Sequence, residues 1–129
     1  MPTEAAFYRQ LRAAAKKERP DLTFDRIENW IGQGIPDLLI CDRKGLYHFV
    51  ELKFCRANAV NLRPHQISWL TRHRHSSAWI LIKQKRDKIH LYHACQAIHL
   101  KANGLKLCPQ YKCSFPFDWD KIFRLICPI

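Results

Sequence analysis

The feature that most constrains this chain is a pair of short apolar runs, Ile35 to Cys41 and Leu46 to Phe54, set on either side of Asp42-Arg43-Lys44-Gly45. A polar stretch ending in Gly suits a tight turn, so the segment is expected to form a β-hairpin. Side chains alternate along a strand, which puts Tyr47, Phe49, Glu51 and Lys53 on one face and His48, Val50 and Leu52 on the other. Glu51 and Lys53 therefore point the same way.

The hairpin also carries the candidate chemistry. Pro36-Asp37 on the first strand is followed on its partner by Glu51-Leu52-Lys53. Antiparallel pairing can bring the start of one strand beside the end of the next, so two carboxylates and one ammonium can converge at one edge of the sheet. Hard oxygen donors suit Mg²⁺ or Mn²⁺, and such a cation would offset carboxylate repulsion while polarising a phosphodiester. Lys53 sits where it could orient or deprotonate an attacking water, or stabilise charge on a phosphorane. The same residues also read as an exposed cross-strand ion pair at a strand end.

Around the hairpin the pattern alternates. Thr3 suits an N-cap, with Glu4 in the first turn and Phe7, Leu11, Ala14 and Ala15 at helical spacing, and this helix should stop before Pro20. Pro64 suits the first position of a second helix running to about His73. Ala78 to Lys83 and Lys88 to His93 read as a second pair of strands. A short helix over Ala94 to Lys101 closed by Asn103-Gly104, and a terminal one over Phe117 to Ile126, complete the chain, with Leu105 to Pro116 expected to be irregular. The order predicts an α/β class: a single domain over residues 1–129, with a mixed central β-sheet flanked by helices.

Charge narrows the partner. The 129 residues hold 22 Lys and Arg against 11 Asp and Glu, a formal charge of +11. That balance points to a polyanion, nucleic acid first. Arg9, Arg12, Lys16, Lys17 and Arg19 lie mostly off the apolar stripe of the first helix, which makes that side either a DNA-facing surface or an ordinary solvated face. No run is long enough for a membrane span, and the first 20 residues lack the apolar core of a secretory signal. The six cysteines then read as reduced thiols, and the expected location is the cytoplasm.

Three blocks in order, Gly34-Ile35-Pro36-Asp37-Leu38-Leu39-Ile40, then Phe49-Val50-Glu51-Leu52-Lys53, then Pro64-His65-Gln66-Ile67-Ser68-Trp69-Leu70, resemble the PD-(D/E)XK nuclease superfamily. They look most like its VRR-NUC branch, the virus-type replication-repair nucleases, in the short stand-alone form found in phages. The resemblance covers about Thr3 to Ile82. It implies a restriction-endonuclease-like fold, with Asp37 and Glu51 as metal ligands together with the Leu52 carbonyl, Lys53 as the catalytic lysine, and Gln66 as a residue of the second helix that positions the site. Glu4 matches the helix-1 acid of the family.

The residues also speak for themselves at two of these positions. Glu4 lies on or beside the buried stripe, where a carboxylate is costly unless paired or bound to metal, yet an acid at a helix start is also favoured by the macrodipole. Gln66 reads equally as a cap on its own helix. The resemblance further implies a metal-dependent endodeoxyribonuclease leaving 5′-phosphate and 3′-hydroxyl ends, in a bacterial or phage-infected cytoplasm, acting on branched DNA such as a four-way Holliday junction. Because a junction is two-fold symmetric and the chain holds one site, a homodimer is expected.

Other readings remain in view. The enzyme could instead act on flaps, single strands or specific sites, or the chain could be a non-catalytic basic DNA-binding protein. Arg26, Glu28 and Asn29 precede the motif in a stretch expected near DNA. His90, His93, Cys95, His99, Cys108 and Cys113 include zinc-type ligands, but no C-x-x-C pair occurs, and His90 and His93 fall on opposite strand faces. Arg72, His73, Arg74 and His75 read as a basic patch at a helix end, and Asp42 as a turn residue. Trp69, Trp79 and Trp119 read as core or interface residues, and no Gly-rich phosphate loop is present.

Overall fold

The computed structural model describes residues 3–27 and 34–129. Helix α1 spans Glu4–Glu18, and the Thr3 hydroxyl caps it by accepting the Ala6 N–H at 3.0 Å. Strands β1 (Thr23–Arg26), β2 (Leu38–Cys41) and β3 (Tyr47–Cys55) follow, then α2 (Pro64–Arg72), β4 (Ala78–Gln84) and β5 (Lys88–His93). A 3₁₀ turn over Ala94–Gln96 leads into α3 (Ala97–Asn103), a second 3₁₀ turn covers Gly104–Lys106, and β6 (Tyr111–Ser114) and α4 (Trp119–Ile126) end the described elements.

The strands form one six-stranded sheet in sequential order, β1 to β6. Every pairing is antiparallel except β3 with β4, which run parallel because the connection between them crosses over the sheet through α2. The β2–β3 turn works as its sequence suggested. The Asp42 carboxylate accepts the backbone N–H groups of Lys44 and Leu46 at 2.8 and 3.1 Å, and Gly45 takes a positive φ of 80°.

Two cores flank the sheet. Phe7, Leu11 and Ala15 of α1 and Ile122, Phe123 and Ile126 of α4 pack on Leu38, Ile40, Val50 and Leu52 on one face. On the other, Trp69 and Leu70 of α2 and Ala97 and Leu100 of α3 pack on Ala78, Ile80, Ile82 and Tyr92. The α/β class with a mixed sheet flanked by helices is therefore the observed one. No helix among the described residues is long and apolar enough to cross a membrane.

Two strands depart from the sequence reading. Thr23–Arg26 forms β1 although it carries no apolar alternation, because most of its positions are exposed at the outer edge of the sheet. The stretch Leu105 to Pro116, expected to be irregular, contains β6, where Tyr111 and Cys113 turn inward while Lys112 and Ser114 face solvent.

Candidate active site

Asp37 directly precedes β2, and Glu51 lies in the middle of β3. The Asp37 backbone N–H donates to Glu51 Oε1 at 3.2 Å. β2 and β3 are the second and third strands of the sheet, and the acids meet where β2 begins beside the middle of β3. Gly34 sets the approach. Its φ is +87°, and a methyl group there would run into the carbonyl of His65, so only Gly lets the segment leading to Asp37 lie against the start of α2.

That start of α2 carries Gln66, which joins the two charged side chains of β3. Its Nε2 donates to Glu51 Oε2 at 3.1 Å, and its Oε1 accepts Lys53 Nζ at 3.3 Å and the Arg63 backbone N–H at 3.0 Å. Gln66 therefore caps its helix and links Glu51 to Lys53 with the same amide. Lys53 Nζ also lies 3.4 Å from Glu51 Oε2. The sequence reading of an exposed strand-end ion pair is overturned, since Glu51 is 2% and Lys53 8% exposed. The layer of α2 over β3 removes them from solvent.

Burial, with the Asp37 charge second, pushes the Glu51 carboxyl up to about 8, against the opposing pull of Lys53. Glu4, at the N-terminal end of α1, stands at the exposed rim and belongs to the same field. Crowding around its carboxyl raises its pKa, Lys53 lowers it and Asp37 raises it again. Arg26 and Arg63 also act on Glu4. Leu52 sends its side chain into the α1 core on the opposite face, which leaves only its backbone for the site. No three His, Cys, Asp or Glu side chains among the described residues close into a ready metal cage.

Some residues at the site were not singled out in the sequence. Cys55 is one, its thiol pushed up to about 11 by burial and by the Glu4 charge. Arg63 is another, reached through the helix start. Arg26 was named for proximity to DNA, and its guanidinium stacks 4.4 Å from the Tyr8 ring centroid. Glu28 and Asn29 lie outside the described residues.

The basic side of α1 is smaller than its sequence suggests. Arg19 is 5% exposed, pairs with both oxygens of Asp21 at 3.0 and 3.1 Å and donates to the Cys127 carbonyl at 3.0 Å. It ties the end of α1 to the end of α4 and faces no solvent. Arg9, Lys16 and Lys17 remain exposed, while Arg12 is partly buried and lies 4.7 Å over Phe24. In the patch after α2, His73 stacks on Trp69 at 3.7 Å between centroids and is partly buried.

A Ser-His-Asp arrangement lies away from this site. His48 touches Asp42 Oδ2 through Nε2 at 2.9 Å and Ser77 Oγ through Nδ1 at 2.6 Å. Ser77 Oγ also accepts the Trp79 indole N–H at 3.0 Å and lies 3.4 Å from the Ile126 carbonyl. A hydroxyl held from three sides is a tie between the β2–β3 turn, the start of β4 and α4.

No known family profile matches the chain, and no curated protein sequence matches it. Among solved structures it is similar to Hjc, a Holliday junction resolvase from the archaeal hyperthermophile Archaeoglobus fulgidus. The TM-score is 0.53 at 17% identity, covering 70% of this chain and 76% of that one. The likeness is one of fold, and the restriction-endonuclease-like architecture expected from the motif blocks is the one found.

Proposed function

We propose that this chain is a metal-dependent endonuclease that hydrolyses phosphodiesters of branched DNA, and that its motif blocks assign it to the VRR-NUC branch of the PD-(D/E)XK nucleases as a stand-alone, phage-type member. The observation that carries the reading is the buried unit of Glu51, Lys53 and Gln66 beside Asp37. Isolated salt bridges contribute little when exposed, and a buried one costs desolvation. A buried carboxyl with a raised pKa is the kind of group that clusters at functional sites, and a divalent cation beside Glu51 would favour its ionised form.

The donor set fits a hard divalent ion. Asp37 and Glu51 offer carboxylate oxygens, the Leu52 carbonyl and Glu4 add further oxygens, and like charge among the acids is only partly offset by Lys53. Mg²⁺ or Mn²⁺ held there would neutralise the acids and polarise the phosphodiester and a water. Lys53, fixed by Gln66 Oε1, orients the attacking water or stabilises charge developing on the phosphorane. Gln66 holds both partners in register, and the α2 layer keeps bulk water away from Glu51.

The branched substrate is supported by the fold likeness to a protein named for Holliday junctions. A junction is two-fold symmetric, so paired incisions by a chain with one site call for a homodimer. The test compares cleavage of a labelled four-way junction with a linear duplex of matched sequence in Mg²⁺ or Mn²⁺, with EDTA and Lys53→Ala as controls and circular dichroism to check the folding of the variant. Symmetric junction cuts lost in both controls are expected. Equal cutting of the duplex removes junction selectivity, and binding without cutting of either favours a DNA-binding protein, which the charge of +11 alone would support. A monomeric mass by light scattering alongside paired cuts would remove the dimer.

A further inference from the structure

Lys53 is the first member of a row that crosses the sheet. It pairs with Ile82 of β4, Ile82 with His90 of β5, and His90 with Lys112 of β6. Directly paired residues present their side chains on one face, and neighbouring strands lie roughly 4.8 Å apart, so the His90 backbone stands about 10 Å from that of Lys53 on the same face. The next row, Gln84, Lys88 and Ser114, runs beside it.

Where these rows meet the loop after β3 there is a cavity of about 550 Å³, lined by Asn58, Gln84, Lys88, His90, Lys112 and Ser114 among others. That volume is in the range of pockets for small ligands. Two lysines line it, and no Asp or Glu among the described residues does. His90 is 6% exposed, and its Nε2 lies 3.1 Å from Gln84 Oε1, an atom that can only accept, so Nε2 carries the proton. Its Nδ1 is the buried side-chain nitrogen that has no hydrogen-bond partner among the described residues. Burial and the charges of Lys112 and Lys88 push His90 down, as expected beside cations with no counter-ion.

Lysines on an outer strand also discourage edge pairing. That purpose requires neither a cavity nor, behind them, a nine-tenths buried imidazole with one ring nitrogen unpartnered among the described residues. A phosphate would supply the missing counter-charge, and by reversing the local field it would favour protonation at Nδ1, which then becomes a donor.

We infer that this cavity is a second anion site that takes a phosphate-bearing nucleotide unit, with Lys88 and Lys112 supplying charge, Ser114 and Asn58 hydrogen bonds, and His90 a ring nitrogen. The unit is either one nucleotide of a DNA strand bound at the candidate active site or a free nucleotide. The first source rests on the nuclease reading, and the second does not.

The test uses the full chain in EDTA, so that nothing is cut, with ¹⁵N-labelled histidine. Inorganic phosphate, thymidine monophosphate and a short oligothymidylate are titrated in turn while the ring nitrogens of His90 are followed by NMR. A His90 shift is expected, and Lys88→Gln with Lys112→Gln, both at exposed positions, should abolish it. If the strand is the source, the double variant should also bind DNA roughly tenfold more weakly, with the salt slope of binding smaller by about two. A response to the oligonucleotide alone identifies the strand as the source, and an equal response to the mononucleotide identifies free nucleotide; both support the site.

His90 unmoved by all three ligands overturns it, as does a double variant that binds them like the parent. A protein that cuts no DNA yet shifts His90 with phosphate keeps this inference and loses the nuclease reading. A nuclease whose His90 stays unmoved keeps that reading and loses this inference.

Discussion

Gln66 Nε2 donates to Glu51 Oε2 across 3.1 Å, and the same amide holds Lys53 from its oxygen side. Its third bond, from the Arg63 N–H, belongs to the helix start. The orientation of a buried carboxylate and of its ammonium partner is thus set by the first turn of α2. Lys53 and Glu51 alone, at 3.4 Å, would be free to collapse into a tighter pair.

Gln66→Ala should therefore leave DNA affinity nearly unchanged while lowering the single-turnover cleavage rate about 10- to 100-fold, the usual cost of losing a partner that orients metal ligands. Affinity is measured in EDTA and the rate in Mn²⁺. A rate equal to the parent would show that Gln66 serves only its helix.

The raised Glu51 carboxyl has a consequence for stability. Its folded value of about 8 lies above the ordinary 4.5, so the folded chain binds this proton more tightly than the unfolded chain. Stability from this group is complete below about 4.5 and declines as pH rises through about 8. In EDTA the melting temperature should fall across that window. Because a divalent cation binds the ionised form, the rise in melting temperature on adding Mn²⁺ should be larger at alkaline pH than at mildly acidic pH. Equal Mn²⁺ shifts at both would separate Glu51 from the cation.

Gly34→Ala places a side chain at φ +87° and against the His65 carbonyl. The left-handed conformation alone costs about 1–2 kcal/mol for a residue with a Cβ, and the contact with backbone adds to it. A drop of several degrees in melting temperature is expected together with loss of cleavage, because relief of the clash moves the segment carrying Asp37 away from α2. Calorimetry and the cleavage assay on one preparation check both, and an unchanged melting point would contradict the close approach.

The hairpin and the sharing of one β3 face by Glu51 and Lys53 were legible because their signals are local: alternation in β3, a polar turn, and an acid-x-Lys spacing. What was not legible depends on layers that meet only in the folded chain. The burial of Glu51 and Lys53 follows from α2 crossing over β3, and nothing in Glu51-Leu52-Lys53 distinguishes a covered strand from an exposed one. Arg19 looked like its basic neighbours on α1, but its partner carbonyl on Cys127 is 108 positions away. β1 and β6 are the outer strands, paired on one side and largely solvated, so they lack the apolar pattern that marks an inner strand.

The acid limb of stability should belong to groups far from the site. Asp42 accepts from His48 and from two backbone N–H groups, and Asp21 from Arg19, which hold both carboxyls below their ordinary 3.8. With a depressed folded value the unfolded chain takes up the proton first as pH falls. The stabilisation is present above about 3.8 and is lost as pH drops through the lower folded values. Asp42→Asn should lower the melting temperature by several degrees at pH 7, where the carboxylate would otherwise hold His48 and the turn, and the gap to the parent should close as both approach pH 2. Thermal melts of the two proteins between pH 2 and pH 7 measure it. A gap that stays constant with pH would mean that Asp42 acts through packing alone, and that the charge on its carboxylate contributes nothing to the tie between the hairpin turn and β4.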